Sequence, residues 1–498
     1  MKLKVLMVLF FLTCNLATVA GAQNAHLRET ATWPDDQPPA EPAELGRSDL
    51  SKKIATGASI TQHLIKSHSG GLLLRPVRSV RNLVFLTTNA ATGLLRDLAL
   101  DTIFFPRLDD SNIPLAGSTE GMDLEQWEMD LDTMTRTQRT RGSLDLLIDG
   151  EAFFDRLVEE IADARESIKF RTYIFDNDDY ALQIADLLKQ RAEDIPVDIL
   201  VDGMGTLGGG LITSSSLPKD FVTPGSIESY IEKDSGVNLR MLGNTWFMGD
   251  HTKTFLFDDT VAFLGGMNIG REYRYDWHDL MVELSGPVVD QLSYDNALAS
   301  AESTLGDFAF LKPIKRRNTE SSANHGAELR LLYTKPFDAQ IYRAQLEAIR
   351  RSRSYIYVQN AYLADDLVLY ELVKARQRGV DVRVIVPSRP DSGLMDRSNV
   401  LAINVLQRYG VRVYLYPGMT HVKAAIYDDW ACFGTANFDT LSFKLNKEVN
   451  IATSDPSIVS ALKQQVFDVD FAISREVTTS QPTYVMDHIY EKIVDLIL

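Results

Sequence analysis

From Ser143 onward the apolar and polar positions fall into short runs whose period switches between two and about 3.6. Leu144 to Ile148 reads as a strand, Glu151 to Arg165 as a one-sided helix, Ile168 to Phe175 as a strand, Asp179 to Ala192 as a helix and Val197 to Val201 as a strand. The order returns further on. Leu329 to Tyr333, Tyr355 to Gln359 and Val382 to Val386 read as strands, with helices over Ala339 to Arg353 and Leu367 to Arg378 between them. Strands alternating with such helices predict an α/β fold, a sheet covered by helices. The repetition divides the chain into a first unit over 143–326 and a second over 327–498.

Each unit also carries one copy of a polar pattern, His-x-Lys-x4-Asp followed by Gly-x-x-Asn. The first is His251, Lys253 and Asp258 with Gly265 to Asn268; the second is His421, Lys423 and Asp428 with Gly434 to Asn437. His and Lys two apart share a face if the segment is a half-buried strand, and Asp258-Asp259 and Asp428-Asp429 then read as hairpin turns. An imidazole, an ammonium and a carboxamide suit a phosphodiester: His attacks or protonates, while Lys and Asn hold the non-bridging oxygens. Chance would place His-x-Lys-x4-Asp about once in 10⁴ positions, so two copies with the same distal Gly-x-x-Asn point to shared chemistry.

The paired motif resembles the phospholipase D superfamily, and its surroundings resemble the bacterial cardiolipin synthase-like branch. The resemblance rests also on Phe170 to Phe175, Val197 to Gly203, Gly265 to Gly270 with Trp277-His278-Asp279, Arg378 to Pro387 and Asn437 to Glu448. It implies two tandem phospholipase D-like domains, each a mixed sheet flanked by helices, related by a pseudo-twofold axis that brings both motifs into one site. It also implies a phosphohistidine intermediate on His251, with His421 as general acid, Lys253, Lys423, Asn268 and Asn437 on the phosphate, and no metal or other cofactor. Asp279 and Glu448 match the positions that orient the histidines. Asp258 and Asp428 hold motif positions but read as turn residues in a supporting role. Three departures stand out: a second gap one residue shorter, Leu441 where the branch often has Arg, and Asp250 before His251 where a basic residue is common.

At 498 residues, 45% hydrophobic and 24% charged, the chain is long enough for two cores and is not a disordered protein. Met1 to Ala22 has Lys2 and Lys4, an apolar run from Val5 to Leu12 and Ala20-Gly21-Ala22, the layout of a cleavable signal peptide, so an exported protein, periplasmic or secreted, is expected. Without that segment only Cys432 is left, in an apolar stretch that predicts a buried thiol.

Residues 23–142 form an extension, helical or irregular. Within it, Asp49 is the last acid before Asp97, while Lys52, Lys53, Lys66, Arg75, Arg78, Arg81 and Arg96 interleave with Leu72 to Leu74, Val77, Val80, Leu83 to Leu86 and Leu94-Leu95. That combination suits peripheral contact with an anionic membrane; it equally suits a helical pair packed on the enzyme with a solvated basic edge. Residues 97–142 turn acidic and read as a connector. Thr206 to Pro224 reads as a long polar loop, a surface insertion or a lid, and Trp246 to Met248 as an apolar cluster that caps the core or meets acyl chains.

A net charge of −17 opposes nucleic-acid binding in general, because such affinity depends on neutralising phosphates. The expected function is therefore a phospholipid phosphatidyltransferase or phosphodiesterase, the alternative a secreted or periplasmic nuclease or phosphodiesterase on a soluble substrate. Since both motifs lie in one chain, no oligomer is required.

Overall fold

A computed structural model describes residues 47–111, 113–117, 120–209, 214, 216–314, 326–391 and 393–483. The first unit contributes strands β1 (Thr140–Ile148), β2 (Ile168–Thr172), β3 (Val197–Asp202), β4 (Asn238–Leu242), β5 (Thr254–Phe257), β6 (Val261–Gly265) and β7 (Leu280–Ser285). The second contributes β8 (Ala327–Lys335), β9 (Asp338–Ala339), β10 (Tyr355–Gln359), β11 (Asp381–Pro387), β12 (Arg412–Tyr416), β13 (Ala424–Tyr427), β14 (Trp430–Gly434), β15 (Glu448–Thr453) and β16 (Arg475–Glu476).

All sixteen belong to one mixed sheet, and β1 meets β8 at its centre. Outward from that seam the order is β1-β7-β6-β5-β2-β3-β4 on one side and β8-β15-β14-β13-β10-β11-β12 on the other. Each position of one list has its counterpart in the other, which is the pseudo-twofold of the duplication. The seam itself is antiparallel and short, Thr140 opposite Leu329 and Gly142 opposite Ala327. Within each half the three outer strands of these lists run parallel and the hairpins antiparallel, and β16 adds antiparallel to β12.

Helices Asp149–Asp163 and Asp179–Arg191 cover one face of the first half, and Gln340–Arg351, Asp366–Gln377 and Gly393–Arg408 cover the matching face of the second. Asp178 and Asp365 cap two of these helices by accepting from the amides of Ala181 and Val368. The opposite face carries a third apolar layer drawn from both halves, with Leu256, Leu264 and Val282 joined to Ile426, Phe433 and Ile451. Each such side chain contributes about 1.5–3 kcal/mol by leaving water, so the halves are held together by a shared core. This corrects the expectation of half-buried motif strands: every residue of β5 and of β13 is buried.

Two further corrections concern the extension. Helices Arg47–Leu74 and Pro76–Ala99 form a hairpin broken at Pro76, which has no amide hydrogen to give. The hairpin packs on the body: the indole of Trp246 donates to the Ser79 carbonyl (2.8 Å), and His68 stands edge-on to the same ring at 5.1 Å. Trp246 therefore anchors the extension, and neither caps a core nor stands free.

The acidic connector is also structural. Its helix Leu124–Thr135 sets Trp127 edge-on to Trp430 at 5.2 Å, and its acids Glu128 and Asp132 are answered by Arg330. The polar loop begins as a short helix, Gly203–Gly209. The signal segment and the extension as far as residue 46 lie outside the described residues.

Candidate active site

His251 and Lys253 lie just ahead of β5, and His421 and Lys423 just ahead of β13, so the motif heads are not strand residues. Their main chain leaves the ladder because it pairs across the pseudo-twofold. The His251 amide donates to the Lys447 carbonyl (2.9 Å) and the His421 amide to the His278 carbonyl (2.7 Å). Lys447 and His278 immediately precede Glu448 and Asp279. Each motif is thereby laid beside the carboxylate-bearing stretch of the other half.

The side chains complete the exchange. Nδ1 of His251 lies 2.9 Å and 3.0 Å from the two oxygens of Glu448, and Nδ1 of His421 lies 2.6 Å from Asp279. Each histidine is thus oriented by an acid from the opposite repeat, leaving Nε2 as its reactive nitrogen. Lys253 and Lys423 bend back to donate to the carbonyls of His251 and His421 at 2.8 Å and 2.6 Å.

All six groups are buried, and burial is the leading influence on the protonation of the two histidines, the two lysines and Glu448. It holds His251 well below its ordinary value, helped by the charges of Lys253 and of Lys423 from the other half. It pushes His421 down to about 4, with Lys423 lowering it further and Asp279 opposing. Burial takes Lys253 down to about 7 and Lys423 to about 8, and drives Glu448 up to about 8 against the pull of Lys253. The site carries more cationic capacity than it can keep charged by itself, the condition an anionic phosphodiester relieves.

The two asparagines differ. Asn268 Oδ1 accepts from Thr172 Oγ1 and the Ile174 amide while its Nδ2 donates to Tyr273, whereas the buried Oδ1 of Asn437 has no partner among the described residues. Asp258 and Asp428 sit at φ +53° and +52° in the hairpin turns. Asp258 accepts from the amides of Arg165, Glu166 and Ser167; Asp428 accepts from those of Arg353, Ser354 and Tyr355, and from Met122. Both pin a hairpin to the preceding strand of its own half. Asp250 is largely neutralised by Arg171, 2.8 Å away, so this departure removes little charge from the site.

Several neighbours escaped the sequence reading. Tyr173 stands edge-on to His251 at 4.7 Å, Trp277 and Tyr273 flank His421 at 5.3 Å and 5.7 Å, and Thr435 Oγ1 donates to Glu448 at 2.5 Å. Tyr173 and Trp277 lie in stretches the resemblance quoted; nothing in the spacing marks Thr435. Gly266 is the counterpart of Thr435, and a Cβ there would meet Asp279 at 2.1 Å, so only glycine admits that carboxylate.

The carboxylates of Asp176, Asp178 and Glu272 lie within 4.8 Å of one another and could hold a cation. Burial raises Asp176 to about 7 and Glu272 well above the usual carboxylate range, so protons can answer the same charge. Cys432 is buried and unpaired, its thiol pushed up to about 12 by burial.

Residues 157–295 and 346–469 match the family model described as cardiolipin synthase, PLD-like domain. The chain is 30% identical over 374 residues to cardiolipin synthase A of Pseudomonas putida strain GB-1, covering 71% of this chain and 74% of that protein. It is 30% identical over 353 residues to a cardiolipin synthase of Staphylococcus aureus strain Mu50, covering 69% and 70%. Among solved structures, the phosphatidylserine synthase of Haemophilus influenzae Rd KW20 superposes with a TM-score of 0.57 at 12% identity, over 75% of this chain and 99% of that one, a likeness of fold. With both repeats matched and two such relatives aligned over most of their length, the chain belongs to the cardiolipin synthase family of phospholipase D-like proteins.

Proposed function

We propose that this protein is a phosphatidyltransferase of the cardiolipin synthase type, acting on phospholipids through a phosphohistidine on His251. One observation carries the reading: two histidines of one chain, each oriented by the other repeat's carboxylate and set among two buried lysines.

Nε2 of neutral His251 attacks phosphorus while its Nδ1–H stays on Glu448. The departing alkoxide takes a proton from Nε2 of His421, whose imidazolium Asp279 stabilises. Lys253 and Lys423 neutralise the non-bridging oxygens as charge builds, and Nδ2 of Asn437 donates to one of them. In the second half-reaction neutral His421 removes the proton from an acceptor alcohol. The resulting alkoxide attacks the phosphohistidine, and the P–N bond breaks to regenerate His251. With phosphatidylglycerol as both donor and acceptor, the products are cardiolipin and glycerol; with water, phosphatidic acid. The signal-like segment Met1 to Ala22 supports an activity outside the cytoplasm.

The test is incubation of the purified protein with phosphatidylglycerol vesicles, with and without glycerol, and separately with plasmid DNA. Cardiolipin that forms without glycerol and reverts to phosphatidylglycerol when glycerol is added is the expected result. DNA cleavage lost in His251→Ala, with lipid untouched, would replace this reading by the nuclease one.

A further inference from the structure

At the turn of the N-terminal hairpin Leu73, Leu74 and Val77 face solvent, beside Phe308, Phe310 and Leu311 of the segment Gly306–Leu311; all six are between 59% and 80% exposed. These two stretches, distant in sequence, are clamped together. Arg75 donates to the Ser303 carbonyl (3.0 Å), Arg78 pairs with Glu302 (3.0 Å), and Asp307 accepts from the Val77 amide (3.2 Å). Gly306, at φ +58°, lets the chain pass so close that a Cβ would meet Arg75 Cγ at 2.8 Å. Between the stretches lies a cavity of about 690 Å³, walled by Leu73, Leu74, Val77, Leu305, Phe308 and Phe310. Contiguous exposed apolar side chains held by so many specific contacts mark a built surface.

Its charges indicate what sits there. Arg78 is spent on Glu302 and Asp307, Arg96 on Asp97 and Asp365, and Arg75 on a carbonyl. Arg81, on the cavity wall, makes no ion pair among the described residues; its guanidinium lies over the Phe337 ring at 5.1 Å. An apolar hollow with one uncommitted guanidinium matches an anionic amphiphile. A second copy of the chain matches less well, since self-pairing would bring two Arg81 side chains toward each other. Behind the hollow, a smaller cavity of about 130 Å³ shares Arg75, Arg78 and Ser303 with it and reaches Gly249, Asp250 and Lys447, the neighbours of His251.

We infer that this knuckle seats the enzyme in the leaflet of an anionic phospholipid bilayer, apolar side chains among the acyl chains and Arg81 at the headgroups. The choice of a bilayer as occupant rests on the phospholipid reading of the active site. No helix of the described residues is long and apolar enough to cross a membrane; six side chains on a surface knuckle reach only into the near leaflet. Three of the seven basic residues that the sequence offered for electrostatic attachment, Arg75, Arg78 and Arg96, are consumed internally, and apolar insertion adds to what charge supplies.

Flotation of the full-length protein with phosphatidylglycerol or phosphatidylcholine vesicles tests this, with turnover of a short-chain phosphatidylglycerol below its micelle threshold as the control. Leu73→Glu with Phe310→Glu should weaken binding to both vesicles at least about tenfold and leave turnover of the monomeric lipid unchanged. Arg81→Ala should weaken binding to the anionic vesicles alone, about fivefold. If the double glutamate variant does not fold, Leu73→Asn with Phe310→Asn takes its place. Folded variants that float as the parent does would overturn the inference. So would a lipid-free dimer of the parent that Leu73→Glu dissociates. A parent that floats yet transforms no phospholipid leaves the docking surface standing and removes the catalytic reading.

Discussion

His251 and His421 hold the same place in two copies of one motif, yet the walls around them differ. Glu448 reaches His251 at 2.9 Å and shares its second oxygen with the Thr435 hydroxyl; Asp279 reaches His421 at 2.6 Å, in the room that Gly266 leaves for its carboxylate. One aromatic ring borders His251, and two border His421. Duplication supplies two identical imidazoles, and a displacement needs one neutral and one charged. Burial with two lysines keeps His251 neutral, while the close contact with Asp279 favours the proton on His421 once an anion enters. On the proposed mechanism, the division of labour rests on residues that the repeated pattern leaves unspecified.

Removing each imidazole in turn breaks that comparison most directly. His251→Ala should lower turnover by at least about 10⁴-fold and leave no phosphoenzyme. His421→Ala should lose about 10²–10⁴-fold on natural lipids. With a nitrophenyl phosphodiester, whose leaving group departs without a proton, His421→Ala should accumulate phosphohistidine, because only the second half-reaction needs its base. Mass spectrometry of acid-labile phosphopeptides would locate the group. Phosphate on His421 in a His251→Ala background would reverse the assignment.

How much of this difference the sequence could disclose depends on distance along the chain. The motif, the hairpin turns at Asp258 and Asp428 and the alternation of strands and helices are local, and each element predicted from Leu144 to Val386 is present with ends shifted by a few residues. The crossing of Glu448 to His251 and Asp279 to His421 spans 197 and 142 residues, and no period reports it. The seam of β1 with β8 joins the sheets through three residue pairs, too few to stand out from other apolar stretches. The same non-local pairing explains the misreading of the motif heads as strand. His251 and His421 spend their amides on the opposite half, so a pattern that alternates like a strand is not one until Thr254 and Ala424.

The carboxylates sharpen the comparison at smaller amplitude. Asp279→Asn removes the charge that stabilises the His421 imidazolium and offers an amide that can turn the ring to the wrong tautomer, a change expected to cost about 10²–10⁴-fold in kcat. Glu448→Gln should cost about tenfold, because a carboxyl raised to about 8 works largely as a hydrogen-bond acceptor, and Gln keeps an oxygen for Nδ1–H. Single-turnover rates on a nitrophenyl phosphodiester separate the two: phosphoenzyme formation should fall in Glu448→Gln and hold in Asp279→Asn. Equal losses in both steps for both variants would mean that the two acids share one role.

The smallest contrast lies between the motif aspartates and is expected in stability. Asp428 is buried and accepts four amide hydrogens, one from Met122 just ahead of the connector's helix; Asp258 is partly exposed and accepts three. Both occupy the left-handed region, which Asn tolerates as well as Asp, so Asp→Asn isolates the loss of the carboxylate from backbone strain. Asp428→Asn turns an amide toward donors that need an acceptor, and should lower unfolding free energy by roughly 2–3 kcal/mol; Asp258→Asn should lose less, because water can reach the amides it leaves behind. Denaturant midpoints measure both, and kcat of the folded variants should stay within about threefold of the parent, since neither carboxylate points its charge at phosphorus. An Asp428→Asn protein of unchanged stability and no turnover would move that residue from the scaffold to the chemistry.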